Sequence, residues 1–190
     1  MKSFYYLVSL YLGLFSITAI SFAQINVPYY VPLEIKQNLV KVKVNYLDYN
    51  NKIRKGCLIV HKNVAEEVIA IFDSLLVNNF PIDKISPLED YCWDDKKSMN
   101  DNNTSAFNYR YNLNNKNQLS KHAYGLAIDI NPLNNPVIYK GKTIPKGAIY
   151  DTLKKGTIDK NSIVVKIFKK FNWRWGGEFS KIKDYQHFEK

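Results

Sequence analysis

The sequence predicts an α+β fold, and three observations predict it. A period-2 alternation of apolar and polar residues marks a strand early in the chain, while two segments of helical periodicity stand apart from one another. The strand–helix–strand succession of a doubly wound sheet is missing, and there is no internal repeat. The 190 residues are 46% apolar and 23% charged, with 8 Gly and 7 Pro, a composition that supports a buried core and excludes a disordered or collagen-like chain.

Residues 1–23 read as a secretory signal: Lys2 is the positive end, Phe4 to Ile20 is apolar and uncharged, and Ser21-Phe22-Ala23 offers small residues for cleavage after Ala23. An uncleaved anchor is the competing reading, because an apolar run of this length just spans a membrane. Residues 24–190 are then expected to form a single soluble domain with no transmembrane span, a monomer in the periplasm or outside the cell. Val40, Val42, Val44 and Tyr46 alternate with Lys41, Lys43 and Asn45, which predicts a strand with one buried face. After a turn at Asp48 to Asn51, a short apolar run covers Cys57 to Val60. Asn63 and Glu66 have the spacing of an N-cap and capping-box partner, so a helix follows with Val64, Val68, Phe72 and Leu75/Leu76 toward the core, ending at Asn78-Asn79-Phe80-Pro81. Asp94 to Thr104 is polar and reads as a long exposed loop. Ala127 to Ile130 reads as a strand, and Ile163, Val164, Ile167, Phe168 and Phe171 as a second helix, capped by Asp159 or Asn161 and closed at Asn172.

Export to an oxidising compartment would permit a Cys57–Cys92 disulfide closing a loop of about 35 residues, nominally worth roughly 3–4 kcal/mol; two free thiols fit the sequence equally well. Neither cysteine belongs to a Cys-x-x-Cys pair, so neither suggests a metal ligand. The 27 Lys+Arg against 17 Asp+Glu leave a net charge of +10, which suits an acidic partner: a polyanionic wall, nucleic acid or a lipid surface. Export and the absence of a nucleic-acid motif count against nucleic acid.

The chain has three histidines, His61, His122 and His187. A catalytic zinc takes about three protein ligands and leaves one position open, and His122, Asp129 and His187 supply such a set. Asp184 precedes His187 by three residues; on a helical turn the two would share a face, with Asp184 beside the metal as general base. By spacing alone these residues fit unconnected surface positions as well as a metal centre. His61, between an apolar run and a helix start, reads as a structural hydrogen bond or a partly exposed ring. Trp173 and Trp175 beside Gly176-Gly177 fit either a substrate platform or the core, and Ser120 either a substrate contact or a fixing point for the following strand.

Ser120-x-His122-x-x-Gly125-x-Ala127-x-Asp129, followed by Ile130-Asn131-Pro132, Trp173-x-Trp175-Gly176-Gly177 and Asp184-x-x-His187-Phe188-Glu189, resembles the zinc peptidases that cut peptidoglycan stem peptides. That family includes D-alanyl-D-alanine carboxypeptidases, vancomycin-resistance dipeptidases and L-alanyl-D-glutamate endopeptidases. The resemblance runs from about Gly56 to the C-terminus and takes in Thr104 to Arg110. It implies a small antiparallel sheet with helices packed on it, zinc bound by His122, Asp129 and His187, Asp184 as base, and Arg110 as the stabiliser of the oxyanion. It also implies peptidoglycan as partner, with Ser120 and Trp175 as candidate substrate contacts. An Asp rather than a Glu at 184 points toward the endopeptidase-like branch. The competing functions are a D-Ala-D-Ala carboxypeptidase and, from another class, a non-catalytic basic module that binds cell wall or polyanions.

Overall fold

A computed structural model describes residues 25–190; the signal expected over 1–23 lies outside the described residues. In chain order the elements are α1 (Leu33–Lys36), β1 (Leu39–Leu47), β2 (Ile53–His61), α2 (Ala65–Val77), β3 (Lys84–Ile85), α3 (Asp95–Asn100), β4 (Asn103–Thr104), β5 (Ala127–Asp129), β6 (Val137–Tyr139), β7 (Lys142–Ile144), α4 (Ile163–Lys170), β8 (Arg174–Trp175), β9 (Lys183–Asp184) and β10 (His187–Glu189). The architecture is mixed α and β, with small sheets and few helices. Where one antiparallel sheet is expected, the strands divide into four: the β1-β2 hairpin, β5-β10-β8, β7-β6-β9, and a β3-β4 pair that is parallel. Among the described residues no helix is long and apolar enough to cross a membrane.

The alternation in the first strand does what its period requires. Val40, Val42, Val44 and Tyr46 are buried, and the antiparallel register sets Val42 against Leu58 and Val40 against Val60. Helix α2 covers this face with Val68, Ile71, Phe72 and Leu75, while Leu76 is only half-buried. It ends where Asn78 caps it and Asn79 turns left-handed, at φ 54°. Its start differs from the expected capping box. A short 3-10 turn, Lys62–Val64, comes first, and its cap is His61, whose Nδ1 accepts from the Asn63 N–H at 3.2 Å. Helix α4 buries Val164, Val165, Ile167 and Phe168 on one side, and Phe168 stacks on Phe188 of β10 with ring centroids 4.0 Å apart. Its N-cap position is Ser162, not Asp159 or Asn161; the Asp159 carboxylate instead accepts from the Asn161 N–H and the Ser162 hydroxyl, holding the turn ahead of the helix.

The segment 94–104 corrects the expected exposed loop. Asp94 caps α3 by accepting from the Lys97 N–H at 3.1 Å, and the chain then turns inward. Asn102, Asn103 and Thr104 are buried because their polar groups are matched: Asn103 accepts from the Ser86 N–H and donates to the Ser86 carbonyl and the Ser98 hydroxyl, each within 2.9 Å. Asn102 donates to Asp83 and Asn134 and accepts from the Leu133 N–H. Polar composition here combines an exposed helix surface at Lys96, Lys97 and Asn100 with an internal hydrogen-bond network at 102–104.

One glycine locks the first hairpin to the part of the chain that carries the histidine motif. Gly125 has φ +67°, and a Cβ there would lie 2.5 Å from the His61 nitrogen and 2.8 Å from the Val60 carbonyl carbon. The close approach is used, because the Gly125 carbonyl accepts from the His61 N–H at 2.9 Å.

Candidate metal centre

His122 sits in a 3-10 turn, Lys121–Tyr124, that Ser120 caps: the Ser120 hydroxyl accepts from the His122 N–H at 3.3 Å. Asp129 ends β5, and the β5–β10 register sets it directly across from His187. These elements bring the side chains together in the interior. His122 Nε2 lies 3.0 Å from Asp129 Oδ2 and 3.0 Å from His187 Nδ1, and His187 Nδ1 lies 3.0 Å from Asp129 Oδ1. The three ligand atoms fall within 4.8 Å of one another, all from buried residues. The set fits a zinc ion by an observation independent of spacing: the second nitrogen of each ring already has an oxygen partner. His122 Nδ1 donates to the Ala106 carbonyl at 2.5 Å, and His187 Nε2 faces Glu189 Oε2 at 3.1 Å.

Burial works against the Asp129 carboxylate, but His122 and His187 overcome it and hold the group well below the usual carboxylate range. Burial likewise disfavours the His187 imidazolium, yet its hydrogen bonds to Asp129 and Glu189 raise it to about 10.

Asp184 reaches the site by a route other than a helical turn. It lies on β9, which pairs with β6, and the chain passes through Tyr185 and Gln186 before β10 begins at His187. Burial and the nearby Asp129 charge push its carboxyl up to about 7, against the opposing pull of His187 and Arg110. Its Oδ1 is buried without a hydrogen-bond partner. Arg110 is positioned by the segment that pairs with β5: Ser105 exchanges two backbone hydrogen bonds with Asp129, and the Arg110 carbonyl accepts from the Ser120 N–H. Its guanidinium lies between two carboxylates, 3.8 Å from Asp129 Oδ2 and 3.7 Å from Asp95 Oδ2. Its Nε is buried, with no hydrogen-bond partner, and faces Asp95.

Arg110 and Asp184 line two adjoining cavities. One, of about 520 Å³, also takes in Ser120, Lys121, His187 and Glu189; the other, of about 340 Å³, takes in Asp95, Tyr111 and Gln186. Trp175 lines neither: it is 3% exposed, and its indole N–H donates to the Tyr185 carbonyl at 2.9 Å. The structure thus places it in the core, with Trp173. His61 caps its turn and is not in the metal-binding group. Cys57 and Cys92 are free thiols, the first half-buried and the second exposed.

Asp95, Glu189 and the Ala106 carbonyl have no role in the sequence reading. Glu189 had a usable signal, since strand periodicity puts the residue two after His187 on the same face. Asp95 had none, because it arrives from a segment that reads as a loop, and Ala106 contributes a main-chain carbonyl, which no residue type marks.

This arrangement of two histidines, an aspartate, a second carboxyl and an arginine coincides with one comparison. Residues 114–190 match the D-alanyl-D-alanine carboxypeptidase family. The match supports a peptidase, and it contains His122, Asp129, Asp184 and His187 while stopping short of Arg110. It covers less than half of the chain, so the carboxypeptidase resemblance before residue 114 rests on the motifs alone. No curated protein and no solved structure matches the chain.

Proposed function

We propose that the chain is an exported, zinc-dependent peptidase that hydrolyses peptidoglycan stem peptides, of the L-alanyl-D-glutamate endopeptidase type. The carrying observation is the convergence of three ligand atoms within 4.8 Å, one of them on His187, which lines the same cavity as Asp184 and Arg110. His122 through Nε2, Asp129 through its carboxylate and His187 through Nδ1 would hold the zinc. When bound, zinc supplies a Lewis acid that polarises a carbonyl and lowers the pKa of water from 15.7 toward about 7. The Asp184 carboxylate accepts a proton from the water that attacks the scissile carbonyl, and passes it to the leaving amine. The Arg110 guanidinium, which lines the same cavity as Asp184, would stabilise the oxyanion of the tetrahedral intermediate. Ser120 holds the turn that aims His122.

Cleavage within a chain is favoured over removal of a terminal residue by the Asp at 184, and the two cavities that Arg110 and Asp184 both line are consistent with it. A D-Ala-D-Ala carboxypeptidase is the second reading, supported by the description of the matching family. A purely binding module would have no need of a buried carboxyl with an unpartnered oxygen beside a His-Asp-His cluster, although the +10 charge suits attachment to an anionic wall.

The test is metal content, together with mass-spectrometric analysis of peptidoglycan fragments treated with wild type, His187→Ala and Asp184→Ala. Zinc near one per chain, weakened in His187→Ala and retained in Asp184→Ala, with both variants inactive, is the expected pattern, and product masses name the bond. A wild type that binds no zinc and cuts nothing refutes the reading.

A further inference from the structure

The two histidines present opposite ring nitrogens to the centre. A neutral imidazole carries one N–H and one lone pair, so whatever accepts from one nitrogen decides what the other offers. For His122 the acceptor is the Ala106 carbonyl, a main-chain atom. For His187 it is a side chain, Glu189, whose Oε2 lies 3.1 Å from Nε2.

Glu189 is itself held on two sides. Strand alternation places it on the face of β10 that carries His187, with Phe188 turned to the core between them. The β10–β8 register sets Glu189 opposite Arg174, whose guanidinium binds Oε1 and leaves Oε2 to the imidazole. Arg174 also lies over the Phe179 ring, 5.8 Å from its centroid, and that ring meets the His187 ring edge-on at 6.0 Å. Arg174, Phe179 and Glu189 therefore bracket one side of the His187 ring, opposite the side that faces Asp129.

We propose that Glu189, anchored by Arg174, is the positioning residue of the metal centre: it holds the His187 Nε2–H and thereby turns the Nδ1 lone pair toward the cation. The inference rests on the metal reading above. Glu189 is not among the residues that would hold the metal; it acts through His187. The two anchors differ in kind, since a substitution can remove the carboxylate but not the Ala106 carbonyl, so cation affinity should be tunable at Glu189 and Arg174.

The test uses the chain lacking residues 1–23 only if it is shown to be processed there, and otherwise the full chain. Zinc affinity is measured by competition with a chromogenic chelator for wild type, Glu189→Ala, Glu189→Gln and Arg174→Met. Removing an outer partner of a metal-bound histidine typically costs about 10- to 100-fold in affinity, and Glu189→Ala should lose that much. Glu189→Gln keeps one acceptor for the Nε2–H and should recover part of the loss. Arg174→Met, at a side chain 70% exposed, should weaken binding by a smaller factor while leaving the fold intact, so it reports even where Glu189→Ala does not fold. Wild-type affinity in both Arg174→Met and the Glu189 variants overturns this inference alone. A wild type that takes up no zinc overturns the metal reading, and this inference with it.

Discussion

Asp184 and His187 are three residues apart in the chain, yet they belong to different sheets: Asp184 pairs with Val137 and His187 with Asp129. The short link through Tyr185 and Gln186 brings the proposed proton acceptor and a proposed ligand into one groove from two independently hydrogen-bonded supports. Replacing one should therefore leave the other in place.

That independence makes the pH profile informative. Protein groups alone push the Asp184 carboxyl up to about 7, and a cation beside it favours the carboxylate, so the acid limb of kcat/KM should fall at or below that value. Below the midpoint the carboxyl is protonated, cannot accept the proton, and the rate drops about tenfold per pH unit. Asp184→Asn should lower kcat by about 10² to 10⁴-fold with zinc retained, and a pH-rate series on both proteins checks this. A limb that persists unchanged in the residual activity of Asp184→Asn assigns it to another group.

Arg110 should matter to the chemical step more than to substrate affinity. Loss of an oxyanion donor costs about 10² to 10³-fold in kcat, and Arg110→Ala should fall in that range. Arg110→Lys keeps the charge but loses the planar fork, and should restore only part of the rate. Steady-state kinetics on a stem-peptide substrate decide it; an effect confined to KM would make Arg110 a binding group instead.

Gly125→Ala should destabilise the fold by more than Gly141→Ala. Both glycines have positive φ, +67° and +71°, so each substitution costs about 1–2 kcal/mol for the left-handed backbone. A Cβ at Gly141 meets nothing within 4 Å, whereas at Gly125 it meets the backbone of Val60 and His61. Denaturant unfolding of the two variants isolates the contact.

The candidate metal ligands were legible in the sequence because the motif fixes both their types and their order. His122, Asp129 and His187 do meet, from a 3-10 turn and two paired strands, whereas Asp184 and His187 lie on two strands and not on one helical turn. The early hairpin and α2 were legible through periodicity, since their burial follows side-chain hydrophobicity. Segment 94–104 was not, because hydropathy cannot distinguish an asparagine solvated by water from one satisfied by Ser86 and Ser98. Asp95, which approaches Arg110 from that segment, was hidden for the same reason. Trp175 shows the reverse case: its indole N–H finds a main-chain carbonyl in the interior, so an aromatic that would suit a binding surface stays in the core.

Strand β10 is three residues long, and each of its side chains has separate work: His187 and Glu189 face the groove while Phe188, fully buried, stacks on Phe168. The oily side of that strand is thus the mount on which the polar side is aimed. A repacking around Phe168 that shifted β10 by a fraction of an ångström would detune the centre without altering any residue that faces it, so the precision of the site is borrowed from the hydrophobic interior.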